Sequence, residues 1–361
     1  MTTRTFARLI QGLFACAVLL LGVRGSARGE DGEEPGGEGD KAEAPEAPGA
    51  EEEAEEVPDP VGEEVRVGAY INDIQVVDLK THSYEMDVYV WFRWKYKGFD
   101  PVVTVETVNP NELWGQMVLT AYEEPDELEN GELYQVVRYQ GRFSRKMPLY
   151  NYPYDRQVLT LMLEDARFEA DGLVFVPDAG AIAINPKLTL PGYSLGTPTL
   201  DVKVTDYPTS FGDPRLTSPA RYSRIHIDVP ITRPKLAYSA KLLLPVGCVI
   251  LCAAMMFLLA PSYVDSRVDV GITSLLTIVA LQMTFNQDVP DVGYLMLMDK
   301  IYICSYLFVI FGLLFVVRTT RMVDQGRADE ARKMHGVSLL VLFAVYVLAT
   351  GALVGQAMRA G

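Results

Sequence analysis

The stretch VDVGITSLLTIVALQMTFNQDV, residues 268–289, is long and apolar enough to form a helix that crosses a lipid bilayer. About 20 helical residues with a rise of ~1.5 Å each span a hydrocarbon core of ~30 Å. Steps of three and four residues from its acidic end follow one face of the predicted helix. That face consists of Asp269, Thr273, Leu276, Ala280, Met283 and Gln287. Because it is charged at one end, apolar in the middle and polar at the other end, it is typical of a helix that lines a water-filled pore.

Three more apolar segments lie at residues 236–259, 295–317 and 336–357. We therefore predict an α-helical transmembrane bundle of four spans over residues 234–361. The linkers are short except for residues 318–335, which contain five basic residues. Since basic loops stay on the cytoplasmic side, this linker is predicted to be cytoplasmic and the N-terminal domain to lie outside.

The first 27 residues are typical of a secretory signal peptide, in which two arginines precede an apolar run and small residues follow it. Residues 28–64 consist mainly of Gly, Pro, Ala and Glu, so we expect an acidic disordered spacer. Residues 30–64 hold sixteen acidic residues and one lysine, which accounts for the net charge of −15 of the whole chain. The remainder is close to neutral, so its net charge indicates no acidic or basic partner, and we expect no nucleic acid.

Residues 65–233 have another pattern, in which β-branched and aromatic residues alternate with polar ones between turn signals such as Asn130-Gly131. We predict an extracellular all-β, Ig-like sandwich of about ten antiparallel strands. The clearest predicted strands are residues 65–71, 84–96, 133–143, 158–163, 200–205 and 225–231.

The cysteines and histidines indicate neither an enzyme nor a metal centre. All four cysteines lie inside apolar runs, where they are predicted to be small packing residues. The three histidines, His82, His226 and His335, lack the spacing of a metal site. We therefore expect no catalytic residue, no cofactor and no metal.

Four motifs occur in order along the chain. Tyr-Pro-Tyr-Asp-Arg-Gln occupies residues 152–157, Leu-Leu-Leu-Pro occupies residues 242–245, Arg267 precedes the second span, and Pro290 and Tyr294 follow it. On this architecture, the motifs resemble those of the pentameric ligand-gated ion channels, the Cys-loop receptor superfamily, in their prokaryotic form. The resemblance covers about residues 60–357.

One departure concerns the two cysteines that close the signature loop in animal members of that family. Arg145 and Leu159 stand at about the equivalent positions, so we expect the loop to lack a disulfide. The short linker after the third span is also similar to that of bacterial members.

The resemblance implies a homopentamer in which the second span lines the pore. Asp265 and Asp269 would then form acidic rings that attract monovalent cations, so we predict a cation channel. Acids favoured at a helix N-terminus are the alternative for both. Leu276, Ala280 and Met283 would form the gate, because an apolar ring can close a pore by dewetting. Packing against neighbouring helices is the alternative for Leu276.

The resemblance also implies a contact between the sandwich and the pore. We expect Asp155 and Arg233 to form a charged pair there, either as a gating contact or as a static salt bridge. The complete set of predicted coupling residues is Tyr152, Pro153, Tyr154, Asp155, Arg233, Pro290 and Tyr294.

By the same resemblance, an agonist site is expected between neighbouring sandwiches. A carboxylate among aromatic rings suits an amine, although protons or divalent cations fit the same acids, and core packing is the alternative for the aromatic residues. The candidates from one subunit are Glu112, Trp114, Glu164, Phe168, Tyr207, Phe211 and Tyr222, and those from the next are Tyr89 and Trp91.

These features together predict a ligand-gated channel that passes several times through the cell (inner) membrane, with its N-terminal domain on the periplasmic side and lipid around its spans. Two alternatives remain at this point. One is a non-conducting membrane receptor with the same fold, and the other is a proton- or divalent-gated channel.

Overall fold

The computed structural model describes residues 60–112, 115–214 and 219–360. The predicted signal peptide and most of the predicted acidic spacer lie outside the described residues. The described chain is a strand-rich N-terminal domain followed by four long apolar helices, which confirms the predicted fold class.

The described residues of the strand-rich domain form eleven strands and one short helix, α1, at Pro101–Thr104. The alternation of β-branched and aromatic residues with polar ones explains why these segments are extended. The strands are β1 Glu63–Asp78, β2 Ser83–Trp94, β3 Val105–Thr107, β4 Met117–Thr120, β5 Asp126–Glu127, β6 Leu133–Ser144, β7 Arg156–Asp165, β8 Leu173–Ile184, β9 Ser194–Leu195, β10 Thr199–Tyr207 and β11 Ala220–Thr232.

The strands form two sheets that share one apolar core. One sheet has the order β4-β6-β2-β1-β8, with β5 on β6, and the other has the order β10-β11-β7-β3, with β9 on β11. Val67 and Val90 from the first sheet and Leu161 and Ile227 from the second are all fully buried in this core. All six segments predicted as strands lie in strands, although the predicted segment 84–96 runs two residues beyond the end of β2.

Two details of the sheets test the sequence-based expectations. Gly131 has a φ of 78°, which a glycine adopts without strain, so the Asn130-Gly131 turn between β5 and β6 is confirmed. The prediction that all strands are antiparallel is wrong at one edge, because β1 and β8 pair in parallel, with Val65 opposite Phe175. Strand alternation shows which residues are extended, but it carries no information on strand direction.

The C-terminal part contains four helices: α2 at Lys235–Ala254, α3 at Val264–Gln287, α4 at Leu297–Asp324 and α5 at Ala328–Ala360. A short 3-10 turn, Met255–Phe257, continues α2. By length and composition, each of the four is able to cross a membrane.

The linker predicted at residues 318–335 is helical except for residues 325–327. Arginine, lysine and alanine favour helix, so α4 and α5 extend beyond their apolar parts. Gly326, with a φ of 77°, ends α4, because a left-handed conformation at this position terminates a helix. The boundary of an apolar run is therefore a poor guide to the boundary of the helix.

Candidate functional site

One face of α3 has no partner within the described chain. Thr273, Leu276, Ala280 and Met283 are exposed, and the side chains of Leu276 and Met283 remain 63% and 62% exposed. Asp269 and Gln287, at the two ends of this face, are exposed too. The structure therefore leaves the whole predicted pore face open to whatever surrounds the single chain.

The opposite face of α3 packs into the helical bundle. A Cβ at Gly271 would lie 2.4 Å from a methyl carbon of Leu313, so a larger residue at this position would require the Leu313 side chain to move. The buried residues of this face are Arg267, Gly271, Ser274, Ile278 and Phe285. The buried residues recur at steps of three, four or seven, and the exposed residues recur at steps of three or four. Each set therefore lies on its own face of the helix.

The first turns of α3 carry two exposed acids and one buried base. Asp265 and Asp269 are exposed, whereas Arg267 is 0% exposed. The Nε of Arg267 donates a 2.8 Å hydrogen bond to the carbonyl oxygen of Met256. Positive charge is thus turned away from the face that carries the acids. Arg267 was recognised from the sequence only as a motif residue and its burial was not predicted, although its spacing from Gly271 and Ser274 indicates the buried face.

The predicted contact between Asp155 and Arg233 is present in the structure. Nη1 of Arg233 lies 2.7 Å from Oδ1 of Asp155, and the two side chains are only 1% and 6% exposed. Gln157 donates to the other carboxylate oxygen, at 2.5 Å. The Arg233 guanidinium carbon lies 4.7 Å from the ring centre of Tyr152 and 4.9 Å from that of Tyr193, which is cation–π distance.

Protonation states at this contact follow from its surroundings. Burial by itself would lower the pKa of Arg233, but the neighbouring Asp155 carboxylate raises it above its usual value. Burial raises the pKa of Tyr152 to about 12, although the nearby Arg233 lowers it. Arg233 is therefore a fixed cation and Tyr152 a neutral ring near neutral pH.

The loop between β7 and the preceding strand packs on the helices. The Tyr152 ring centre lies 5.8 Å from that of Phe285, which belongs to the buried face of α3. Tyr154 shares a 2.7 Å hydrogen bond with Ser239 of α2. Through Tyr152, the strand-rich domain thus touches α3 itself.

A second contact joins the same loop to the segment that follows α3. The Leu149 N–H donates a 2.9 Å hydrogen bond to the hydroxyl of Tyr294, and Tyr150 stacks on Tyr294 with ring centres 3.8 Å apart. Pro153 and Pro290, which are close in sequence to Tyr152 and Tyr294, are also buried. The predicted coupling residues therefore lie at the end of the strand-rich domain that meets the helices, and Tyr150 is a contact that the sequence analysis missed.

Four of the predicted ligand residues come together, because Tyr207 contacts Glu164, Phe211 and Tyr222, and Arg224 contacts Glu164 and Tyr207. Glu164 is 5% exposed and accepts a 2.7 Å bond from Arg224 Nε and a 2.9 Å bond from the Tyr207 hydroxyl. Burial, and then the hydrogen bond to Glu164, raises the pKa of Tyr207. The Tyr207 ring centre lies 5.2 Å from that of Phe211 and 5.9 Å from that of Tyr222.

Arg224 changes the chemistry expected of this cluster. Glu164 was predicted as a carboxylate that binds an amine, protons or divalent cations, but it is already paired with an internal cation. The sequence shows Arg224 two residues after Tyr222, which places both side chains on the same face of β11. That alternation was the signal that could have found it.

The other predicted ligand residues lie elsewhere. Phe168 packs into the core of the strand-rich domain, with its ring centre 5.5 Å from that of Phe99. Its side chain therefore belongs to the core, which was the alternative for the aromatic residues, and its role as a ligand contact stays a prediction. Trp114 lies outside the described residues.

Tyr89 and Trp91 lie on the outer face of the larger sheet and not in the core. Arg138 sits over Tyr89, 5.2 Å from its ring centre, and Trp91 donates a 3.0 Å hydrogen bond to Asp178. Glu164 belongs to the other sheet. One chain therefore does not bring Tyr89 and Trp91 to Glu164, and only a neighbouring copy could do so.

Glu112 lines a cavity of about 510 Å³ over β2, β4 and β6. Glu85, Asp87 and Arg142 line it too, and Glu85 forms a 3.2 Å ion pair with Arg142. Glu112 thus faces a different part of the domain from Glu164.

No family model matches the chain. Three curated proteins resemble it at low identity. A glutamate-gated chloride channel of Drosophila melanogaster is 26% identical over 58% of this chain and 44% of its own length, and a gamma-aminobutyric acid receptor beta subunit of Lymnaea stagnalis is 24% identical over 51% of this chain and 36% of its own length. An acetylcholine-gated chloride channel subunit of Caenorhabditis elegans is 22% identical over 77% of this chain and 65% of its own length. The chain spans between about one third and two thirds of the length of these relatives.

These relatives are eukaryotic ligand-gated channels and not enzymes. All three are animal proteins, so the prokaryotic form of the resemblance and the missing loop disulfide stay predictions. The relatives are Cys-loop ligand-gated channels, and a strand-rich domain followed by four apolar helices is consistent with the fold of that superfamily.

Proposed function

We propose that this protein is a subunit of a homopentameric ligand-gated ion channel in which five copies of α3 surround the ion pathway. The observation that carries the proposal is the exposed face of α3. A face with Asp269, Thr273 and Gln287 is costly against lipid, whereas it is suited to a water-filled pore. The helices would lie in a cell (inner) membrane, with the strand-rich domain on the periplasmic side.

Flux through reconstituted protein tests this proposal. The purified protein is expected to have the mass of five chains in detergent and to conduct ions in liposomes when an agonist is added. A pentamer that conducts nothing with amines, amino acids, protons or divalent cations would instead support the non-conducting receptor. A monomer would contradict the proposal, because one copy of α3 encloses no pore.

We further propose that the pore selects cations. Two of the three relatives are named chloride channels, so sequence similarity argues for anions. The charges at the exposed start of α3 argue the other way, since Asp265 and Asp269 face outward and Arg267 is buried. Five copies would surround the pathway with negative charge, which concentrates cations and repels anions.

Replacing Asp269 with asparagine is expected to lower the ratio of sodium to chloride permeability by about tenfold, because five carboxylates disappear from the pore mouth. The reversal potential under a sodium chloride gradient measures this ratio. Asp291→Asn is the matched control, since Asp291 is also exposed but follows α3 and does not belong to its exposed face. A wild-type reversal potential that follows chloride would refute cation selectivity and leave the channel itself intact.

For the agonist, we propose a molecule that carries both a carboxylate and an amino group. A simple amine would meet a carboxylate that Arg224 already neutralises. An amino acid fits better, because its carboxylate matches the guanidinium and its ammonium group matches the aromatic rings of Tyr207, Phe211 and Tyr222. Tyr89 and Trp91 of a neighbouring copy would complete the site. Two relatives are named for glutamate and gamma-aminobutyric acid, which have both groups.

Glu164→Gln is expected to raise the agonist concentration for half-maximal flux at least about tenfold, because Arg224 loses the carboxylate that orients it. The reversal potential should not change, since Glu164 lies in the strand-rich domain and not on α3. Glu127→Gln, which removes an exposed 2.8 Å pair with Lys97 in the same domain, is the control and should leave the response unaltered. Full activation by protons or calcium alone, with no organic agonist, would contradict the proposed ligand class.

A further inference from the structure

Arg267 is a buried cation without a buried anion. Its guanidinium donates to the carbonyl oxygen of Met256, to the hydroxyl of Thr319 at 3.4 Å, and to Nε2 of His335. Among residues 60–112, 115–214 and 219–360, no carboxylate lies within ion-pair distance of it. Three neutral acceptors, from the 3-10 turn after α2, from α4 and from α5, therefore hold the charge inside the bundle.

His335 is the only one of the three acceptors in α5, and it is 5% exposed. Its ring lies edge-on against Phe257, with ring centres 5.6 Å apart. Because Nε2 accepts from Arg267, the ring proton belongs on Nδ1, and His335 is neutral in this arrangement. Its Nδ1 has no hydrogen-bond partner in the described part of the chain. Contact with Arg267 is therefore the polar interaction that this side chain makes.

The contact between Arg267 and His335 matters because of the position of Arg267 in α3. Arg267 stands two residues after Asp265 and two before Asp269, whose side chains are exposed at the start of the helix. A long arginine side chain extends toward water when nothing retains it, because a buried unpaired charge is costly. A released Arg267 would bring positive charge to the level of the two acids.

We propose that His335 is a positioning residue for ion selectivity, which holds Arg267 in the bundle so that the mouth of the pore exposes acidic side chains alone. This inference rests on the proposed channel function and on the assignment of α3 to the pore. It places a determinant of selectivity on the last helix, 68 residues from the arginine that it controls.

Two substitutions of His335 distinguish the effect of its hydrogen-bond acceptor from the effect of its ring shape. His335→Phe keeps a ring against Phe257 but accepts no hydrogen bond, and His335→Gln keeps an acceptor. We expect the ratio of sodium to chloride permeability to fall about tenfold in His335→Phe, which corresponds to roughly 1.4 kcal/mol. His335→Gln should stay close to wild type. The double variant His335→Phe, Arg267→Met should regain cation selectivity, because no arginine remains to be released.

Wild-type selectivity in a conducting His335→Phe channel would overturn the proposal, and so would a double variant that is no more cation-selective than His335→Phe. Thermal unfolding in detergent supplies a readout without current. If the two side chains interact, the shifts in Tm of His335→Phe and Arg267→Met are non-additive in the double variant. Additive shifts would overturn the contact. A wild-type protein that never conducts would instead contradict the proposed channel function, and with it the role of His335 in selectivity. In that case the Tm values of the single and double variants would still show whether His335 and Arg267 interact.

Discussion

Asp155→Asn is expected to lower the free energy of unfolding by about 3–5 kcal/mol and to abolish the response to agonist, because it leaves Arg233 buried without its carboxylate. Both side chains of the pair are nearly inaccessible to water. The rings of Tyr152 and Tyr193 attract the guanidinium, but they cannot replace a full negative charge. Thermal unfolding in detergent and agonist-dependent sodium flux are the two measurements.

The double variant Asp155→Asn, Arg233→Gln distinguishes a structural role from a role in gating. Removing both charges should restore part of the lost stability, since no unpaired ion remains buried. If the pair transmits agonist binding to α3, flux stays absent in this stable protein. Recovery of flux together with stability would show that the pair is only a static salt bridge. Glu330→Gln, which removes an exposed pair with Arg327, is the control and should change neither measurement.

Leu276→Ser is expected to produce flux in the absence of agonist and to lower the agonist concentration for half-maximal flux by about tenfold. Leu276 is an exposed apolar residue near the middle of the exposed face of α3. Five copies would form an apolar ring that excludes water, and a hydroxyl in each copy would let water enter. The closed state would then lose stability relative to the open state, so a smaller contribution from the agonist would suffice.

Leu340→Ser is the matched control for this change. Leu340 lies on α5, with 71% of its side chain exposed, so the same substitution is made on a similarly exposed side chain away from α3. No flux without agonist is expected from it. A Leu276→Ser protein that folds and responds to agonist but stays closed at rest would show that the constriction lies elsewhere on the exposed face.

The strands and the membrane helices could be predicted from the sequence because their signals are local. Alternation along β2 buries Val88, Val90 and Phe92 and turns Tyr89 and Trp91 outward, although the sequence by itself left open which of the two sets formed the core. The ends of the helices were predicted less well, since the basic residues after the third apolar run are as compatible with helix as with a loop.

The contact between Asp155 and Arg233 was expected, but from the resemblance to a family and not from any pattern in the chain. The pair joins residues 78 positions apart, and no periodicity connects them. Arg224 shows the limit of the same reasoning. Its carboxylate partner Glu164 was identified as a ligand residue, yet the arginine itself was overlooked, since its partner lies on a neighbouring strand 60 residues away.

The sequence by itself determined that the chain has a strand-rich domain, four apolar helices and one helix with a face that changes from charged to apolar to polar. All of these follow from periodicities of two and 3.6 residues and from the length of apolar runs. The tertiary structure alone decided which charges are free. Glu164 was predicted as a ligand carboxylate and Arg267 was used only as a motif residue, but packing gives one an arginine partner and the other a histidine partner. Burial makes an unpaired polar group costly, so each buried group is paired with a residue that the fold brings to it.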